Sequence, residues 1–202
     1  MLNRFRAVFA KVFAPVARFF LRLGISPDAV TIVGTIGVCA GALIFFPRGQ
    51  LLVGVLVVTA FVCSDAVDGH MARISGQSST WGAFLDSTLD RFGDAAIFGG
   101  LAMYYVGPGD SRNLAALAIY CLVMGSITSY ARARAESLGM EAKGGIAERA
   151  DRLVAILVMT GLSAIFDVPI LVPLTLGALA VASTITVAQR IMVVRSQAKA
   201  AV

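Results

Sequence analysis

Asp65 and Asp68 stand three residues apart, and Asp86 and Asp90 four apart. On a helix, residues at those spacings share one face, so each pair presents two carboxylates in the same direction. The chain before the first pair (Leu51 to Cys63) and the chain after the second (Ala95 to Val106) are almost wholly apolar. Counting inward at ~1.5 Å per helical residue, Asp65 lies roughly 21 Å from Leu51 and Asp90 roughly 24 Å from Val106. Antiparallel neighbouring helices would therefore bring all four carboxylates to one level. Ionisable groups at membrane depth are costly and mark function, and four like charges repel unless cations lie between them. Hard oxygen donors select magnesium, calcium or manganese. Asp94, one turn deeper, is expected only to hold an arginine.

The segment joining the pairs suits a phosphorylated ligand. Gly69, Ala72 and Gly82 allow close approach to the backbone, and Arg73 offers a guanidinium fork that matches phosphate. A polar turn, Ser75 to Thr80, follows. His70, the only histidine, has no partner at ligand spacing and is expected at the surface or behind the ligands. A second basic group comes later in the chain. Arg134, Arg152 and Arg190 fall one turn inside helix ends or at their boundaries, where a charge serving topology alone need not go. Such a group would grip the phosphate of an anionic acceptor.

The elements that must carry these residues follow from composition. Hydrophobic residues make up 58% of the 202-residue chain, charged residues 14%, and the mean hydropathy is +0.84. A soluble domain has about 25% charged residues, so an aqueous globular protein is excluded, as is disorder. No nucleic-acid partner is expected. Apolar runs at about 29–46, 51–64, 81–106, 113–131, 152–167 and 170–190 predict an all-α integral membrane protein with six transmembrane helices. Pro47-Arg48-Gly49, Gly107 to Asp110 and Asp167 to Pro169 turn the chain on one side. Of the 17 Lys and Arg residues only Arg48 and Arg112 lie on that side, which puts both termini and the aspartates at the cytoplasmic face. Residues 1–23 alternate Phe and Val with Arg and Lys at helical spacing and predict an amphipathic helix in the membrane interface, ahead of a six-helix domain over 24–202. Cys39, Cys63 and Cys121 show no paired spacing and are expected as free thiols.

The run Asp65-Ala-Val-Asp68-Gly69-His-Met-Ala72-Arg73, eight further residues, then Gly82-Ala-Phe-Leu-Asp86-Ser-Thr-Leu-Asp90 fits D-x-x-D-G-x-x-A-R-x8-G-x-x-x-D-x-x-x-D at each of its eight fixed positions. That pattern resembles the signature of the CDP-alcohol phosphotransferase family, and the six-helix topology and Ile25 to Thr31 resemble it too. The resemblance implies transfer of a substituted phosphoryl group from a CDP-linked donor to an alcohol, with release of CMP. It implies two Mg2+ ions per site, Mn2+ being an alternative, with Asp65, Asp68 and Asp86 on one ion and Asp65, Asp86 and Asp90 on the other. Asp90 looks like the base that takes the proton of the attacking hydroxyl. Asp28, Ala29, Val30, Thr31, Gly69, Arg73 and Ser79 match positions that cradle the cytidine diphosphate of CDP-diacylglycerol.

Ser129 to Glu136 and Gly144 to Arg152 are similar to the corresponding stretches of the actinobacterial phosphatidylinositol phosphate synthases, a branch of that family. The implied acceptor is inositol phosphate (1D-myo-inositol 3-phosphate), the implied location a bacterial cell (inner) membrane, and the implied assembly a homodimer. Phosphatidylglycerophosphate synthases, which take glycerol 3-phosphate, are the alternative enzyme. A divalent-cation transporter using the same carboxylates would need a polar path across the membrane, and the apolar outer halves of the second and third helices offer none.

Overall fold

The computed structural model describes residues 14–76 and 79–200, and over 64–66 the backbone alone. Most of the N-terminal amphipathic segment and the Asp65 side chain therefore lie outside the described residues. The described chain is helical, without strands: α1 (14–22), α2 (Pro27–Phe45), a 3-10 turn (Phe46–Arg48), α3 (Leu51–Val62), α4 (Ser64–Ser75), α5 (Thr80–Val106), α6 (Arg112–Ser137), α7 (Arg149–Phe166) and α8 (Leu171–Ala200). The second apolar run and its polar extension thus form two helices, with the break at Cys63.

Among the described residues, four stretches are long and apolar enough to cross a membrane: Pro27–Arg48, Leu51–Ser75, Arg112–Ser137 and Leu171–Ala200. α5 and α7 fall short because of the charge they carry. Every 18-residue stretch of α5 contains Asp90, Arg91 and Asp94, and α7 contains Arg149, Asp151 and Arg152. α6 outruns its apolar segment to Ser137, helped by an Arg132–Glu136 ion pair at 2.9 Å across one turn. α8 outruns its own by ten residues, to Ala200.

The chain divides into two compact units. The first comprises Met1–Leu43 and Leu56–Ile97, the second Ile44–Val55 and Phe98–Val202. In the first, Ala17, Val67 and Met71 form a buried cluster joined by Phe20, Leu21 and Val30, which fastens α1 and α4 to the start of α2. That start is set by Ser26, whose Oγ accepts from Ala29 N–H at 3.2 Å just ahead of Pro27. Small residues on α2 let α3 come close. The Phe61 ring lies where a side chain on Gly37 would go, and a Cβ on Gly41 would meet Val57 at 2.9 Å.

The second unit holds the three expected turns. Gly49 takes a left-handed conformation (φ 75°) after the 3-10 turn. Ser111 Oγ accepts from Leu114 N–H at 3.4 Å to start α6, and Asp167 ends α7 with φ 53°. Tyr120 and Thr184 share a hydrogen bond of 2.8 Å between α6 and α8. The three cysteines are free thiols.

Candidate active site

The carboxylates of the first unit come from α4 and α5. Asp68 is buried on α4 (7% exposed), and Thr31 Oγ1 of α2 donates to its Oδ2 at 2.5 Å. Thr31 Oγ1 also lies 3.1 Å from Pro27 O. The hydroxyl has one hydrogen, and the shorter, charge-assisted contact to Asp68 takes it. Asp86 and Asp90, one turn apart on α5, are close enough to repel the Asp68 charge. Asp86 is exposed and Asp90 half-buried. Three carboxylate groups in mutual repulsion are a donor set fit for divalent cations. Among the described residues no three acidic, histidine or cysteine side chains close on one point. The fourth expected ligand, Asp65, has its side chain outside them.

Arg91 Nη2 lies 3.6 Å from the buried Asp94 and 3.8 Å from Asp90. Asp94 therefore holds an arginine, as its spacing suggested, and the same guanidinium reaches the carboxylate assigned as base. Between α4 and α5 the chain caps both helices. Gly76 closes α4 with φ 69°, and Ser79 Oγ accepts from Gly82 N–H at 2.9 Å to open α5. A Cβ on Gly82 would stand 3.3 Å from Ser79 Oγ and 3.6 Å from Asp28 Oδ1, so the motif glycine brings Asp28 to the start of α5. Gly69 faces open space, and Arg73 is exposed on the same helix. Val30 packs in the buried cluster and Ala29 N–H serves the cap.

Beside these groups runs an apolar groove of about 410 Å3, lined by Ile32, Thr35, Ile36, Cys39, Ala40 and Leu43 of α2 and by Leu89 and Phe92 of α5. Thr35 turns its hydroxyl back to Thr31 O at 2.9 Å. The groove runs from Ile32 to Leu43 of α2, about 16 Å at the helical rise.

The second unit contains the arginines. Arg152 is 1% exposed and Arg190 5%. Arg152 Nη1 donates to Ala147 O at 3.1 Å, and its guanidinium lies 3.1 Å from where a Cβ on Gly125 would stand. Arg190 Nε donates to Gly144 O at 3.1 Å and its Nη1 to Thr128 O at 2.6 Å. Both thus converge on the 138–148 segment. Arg134 does not join them: it is exposed, and its Nη1 bonds Ser137 Oγ on its own helix at 3.3 Å. A charge kept only for topology would stay in water, whereas Arg152 and Arg190 are held out of it by carbonyl acceptors.

A family model described as CDP-alcohol phosphatidyltransferase matches residues 24–187. The chain belongs to that family. The transferase is 51% identical to the phosphatidylinositol phosphate synthase of Streptomyces avermitilis, over 98% of this chain and 84% of the relative. It is 52% identical to that of Cutibacterium acnes, over 96% and 98%. Among solved structures it resembles Mycobacterium tuberculosis phosphatidylinositol phosphate synthase with CDP-DAG bound, at 42% identity and a TM-score of 0.88, over 92% of this chain and 94% of that one. A crystal structure of the same mycobacterial protein in complex with manganese and citrate gives a TM-score of 0.85 at 42% identity, over 90% and 88%.

Two features of the transferase escaped the sequence reading. Thr31 is a partner of Asp68 as well as a member of the expected nucleotide cradle, and the hydroxyl–carboxylate contact joins residues 37 apart. The 138–148 segment, without apolar periodicity of its own, is tied to α8 by the side chains of Thr186, Arg190 and Gln197.

Proposed function

We propose that this transferase moves the phosphatidyl group of CDP-diacylglycerol to inositol phosphate (1D-myo-inositol 3-phosphate), giving phosphatidylinositol phosphate and CMP. The observation that carries the chemistry is the set of Asp68, Asp86 and Asp90, mutually repelling at the motif positions with Asp68 fixed by Thr31. With Asp65, they would hold two divalent cations, Mg2+ or Mn2+, which when bound clamp the donor's pyrophosphate and offset the charge that develops on it. Asp90 takes the proton from the attacking inositol hydroxyl, oriented from behind by Arg91. Asp28, Ala29, Val30, Thr31, Gly69, Arg73 and Ser79 receive the cytidine diphosphate: Gly69 leaves room for it and Arg73 meets a phosphate. The groove along α2 suits a hydrocarbon chain of the donor, in length and in its apolar lining.

Arg152 and Arg190 bind the phosphate of the acceptor, and Arg134, exposed on its own helix, contributes charge at the solvent side only. The Arg152 and Arg190 guanidiniums are buried, and the relatives named phosphatidylinositol phosphate synthase support inositol phosphate as the anion they meet. The enzyme works in a bacterial cell membrane as a homodimer. α5 and α7 join the four more apolar stretches to make six spans, and the aspartates and both termini are cytoplasmic.

The test is CMP release from CDP-diacylglycerol by the purified protein in the presence of inositol phosphate, free inositol, glycerol 3-phosphate or serine. Inositol phosphate should be the best acceptor, and chelation of divalent cations should stop the reaction. A higher rate with glycerol 3-phosphate would move the enzyme to the phosphatidylglycerophosphate synthases, and CMP release unaffected by chelation would remove the aspartates from metal binding.

A further inference from the structure

The 138–148 segment runs along α8 as a strap. Gln197 Nε2 donates to Glu141 O at 2.6 Å, and Glu141 N–H donates to Gln197 Oε1 at 2.9 Å, so the amide pairs with both backbone groups of one residue. Three residues on, Gly144 O accepts from Arg190. Three further on, Ala147 N–H donates to Thr186 Oγ1 at 3.1 Å. Three extended residues advance about 10 Å, and the seven helical residues from Gln197 back to Arg190 about 10.5 Å. The strap thus runs antiparallel to α8, with its first two ties in register with one face of the helix. Ala142, between the first two ties, is fully buried.

Arg190 depends on this strap. Its bonds to Gly144 O and Thr128 O use Nε and one hydrogen of Nη1, which leaves Nη2 out of both. Two carbonyls, one at Nε and one at Nη1 on different edges of the guanidinium, fix its plane and aim the remaining donors. Thr128 O belongs to a helix and is fixed already. Gly144 O belongs to the strap, and φ values of 88° and 132° at Gly144 and Gly145 show a backbone that would readily take other conformations if untied. We propose that Gln197 is a positioning residue for the acceptor. By pinning Glu141 it holds the strap, and through Gly144 O the strap sets the orientation in which Arg190 meets the acceptor's phosphate. This rests on the reading of Arg190 as a ligand of that phosphate.

Gln197→Ala, Gln197→Glu, Arg190→Gln and the double variant Gln197→Ala/Arg190→Gln, all in the full chain, separate the two ideas. Gln197→Ala should raise the KM for inositol phosphate about threefold to tenfold, leave the donor KM within about twofold, and add nothing in the Arg190→Gln background. Trypsin should cut after Lys143, which is exposed, about tenfold faster in Gln197→Ala than in wild type. Gln197→Glu keeps the bond from Glu141 N–H and loses the other, so it gives the same ranking with a smaller step and serves if the alanine variant does not fold. An elevated acceptor KM in Arg190→Gln but not in the Gln197 variants overturns this inference and leaves the role of Arg190 intact. An unchanged acceptor KM in Arg190→Gln overturns both. A Gln197 effect on donor and acceptor KM alike, or one that adds to that of Arg190→Gln, reduces Gln197 to a structural tie.

Discussion

At the scale of single residues the site is a problem in holding like charges together. Asp68 is buried, and Thr31 Oγ1 and the Gly69 backbone N–H are neutral donors to it. Hydrogen bonds to charged groups contribute ~1.5–3 kcal/mol. Thr31→Val should therefore lower turnover by about tenfold to a hundredfold, and Thr31→Ser, which keeps the hydroxyl, should retain most of it. A Thr31→Val enzyme as fast as Thr31→Ser would show that the hydroxyl does not matter. The α5 carboxylates divide by partner. Asp94 faces Arg91 and is buried, so Asp94→Asn should lower the melting temperature and keep measurable activity. Asp86 is exposed beside Asp68 and Asp90. Asp86→Asn should fold normally and release no CMP, and an Asp94→Asn enzyme as inactive as Asp86→Asn would contradict this division.

At the scale of elements, helix positions were legible because most apolar runs are bounded by turn residues with a physical reason to stop them: the turns at Gly49, at Gly107 to Asp110 and at Asp167 sit where expected. The motif spacing likewise placed Asp68, Asp86 and Asp90 near one another. What was hidden depends on contacts between distant parts of the chain. The separation of α4 from α3 at Cys63 leaves no Gly or Pro as a sign. The strap's amide pairing to Gln197 joins residues 56 apart, and the departure of Arg134 from the other two arginines turns on which face of α6 it occupies. Glycine at Gly37 is also legible only in three dimensions, since its value is the space taken by the Phe61 ring. Gly37→Ala should destabilise the protein by about 1–3 kcal/mol through overpacking. Thermal unfolding in detergent checks this, and Gly99→Ala, where a Cβ meets nothing within 4 Å, is the control. An equal loss in both would mean that helix flexibility rather than α2–α3 approach is at stake.

At the scale of the whole molecule, the proposed function assigns the two substrates to residues of different units. Every residue assigned to the donor and the cations lies in the first, and Arg134, Arg152 and Arg190 lie in the second. Changes in the arginines should therefore register in one kinetic constant and not the other. Arg152→Gln and Arg190→Gln each remove charge-assisted bonds that water replaces only in part, so the acceptor KM should rise roughly tenfold to a hundredfold while the donor KM stays put. Arg134→Gln should do less, because its guanidinium is solvated and tied to Ser137. Free inositol gives the arginines no anion to bind, so it should be a poor acceptor for wild type. The ratio of the two acceptors' kcat/KM should also collapse in the Arg152 and Arg190 variants, since what they lose is the preference for phosphate. That collapse distinguishes recognition from damage to the fold, which would lower both rates and leave their ratio unchanged. If wild type used inositol as well as inositol phosphate, and the variants matched it, the buried arginines would serve the fold alone and the acceptor would carry no phosphate.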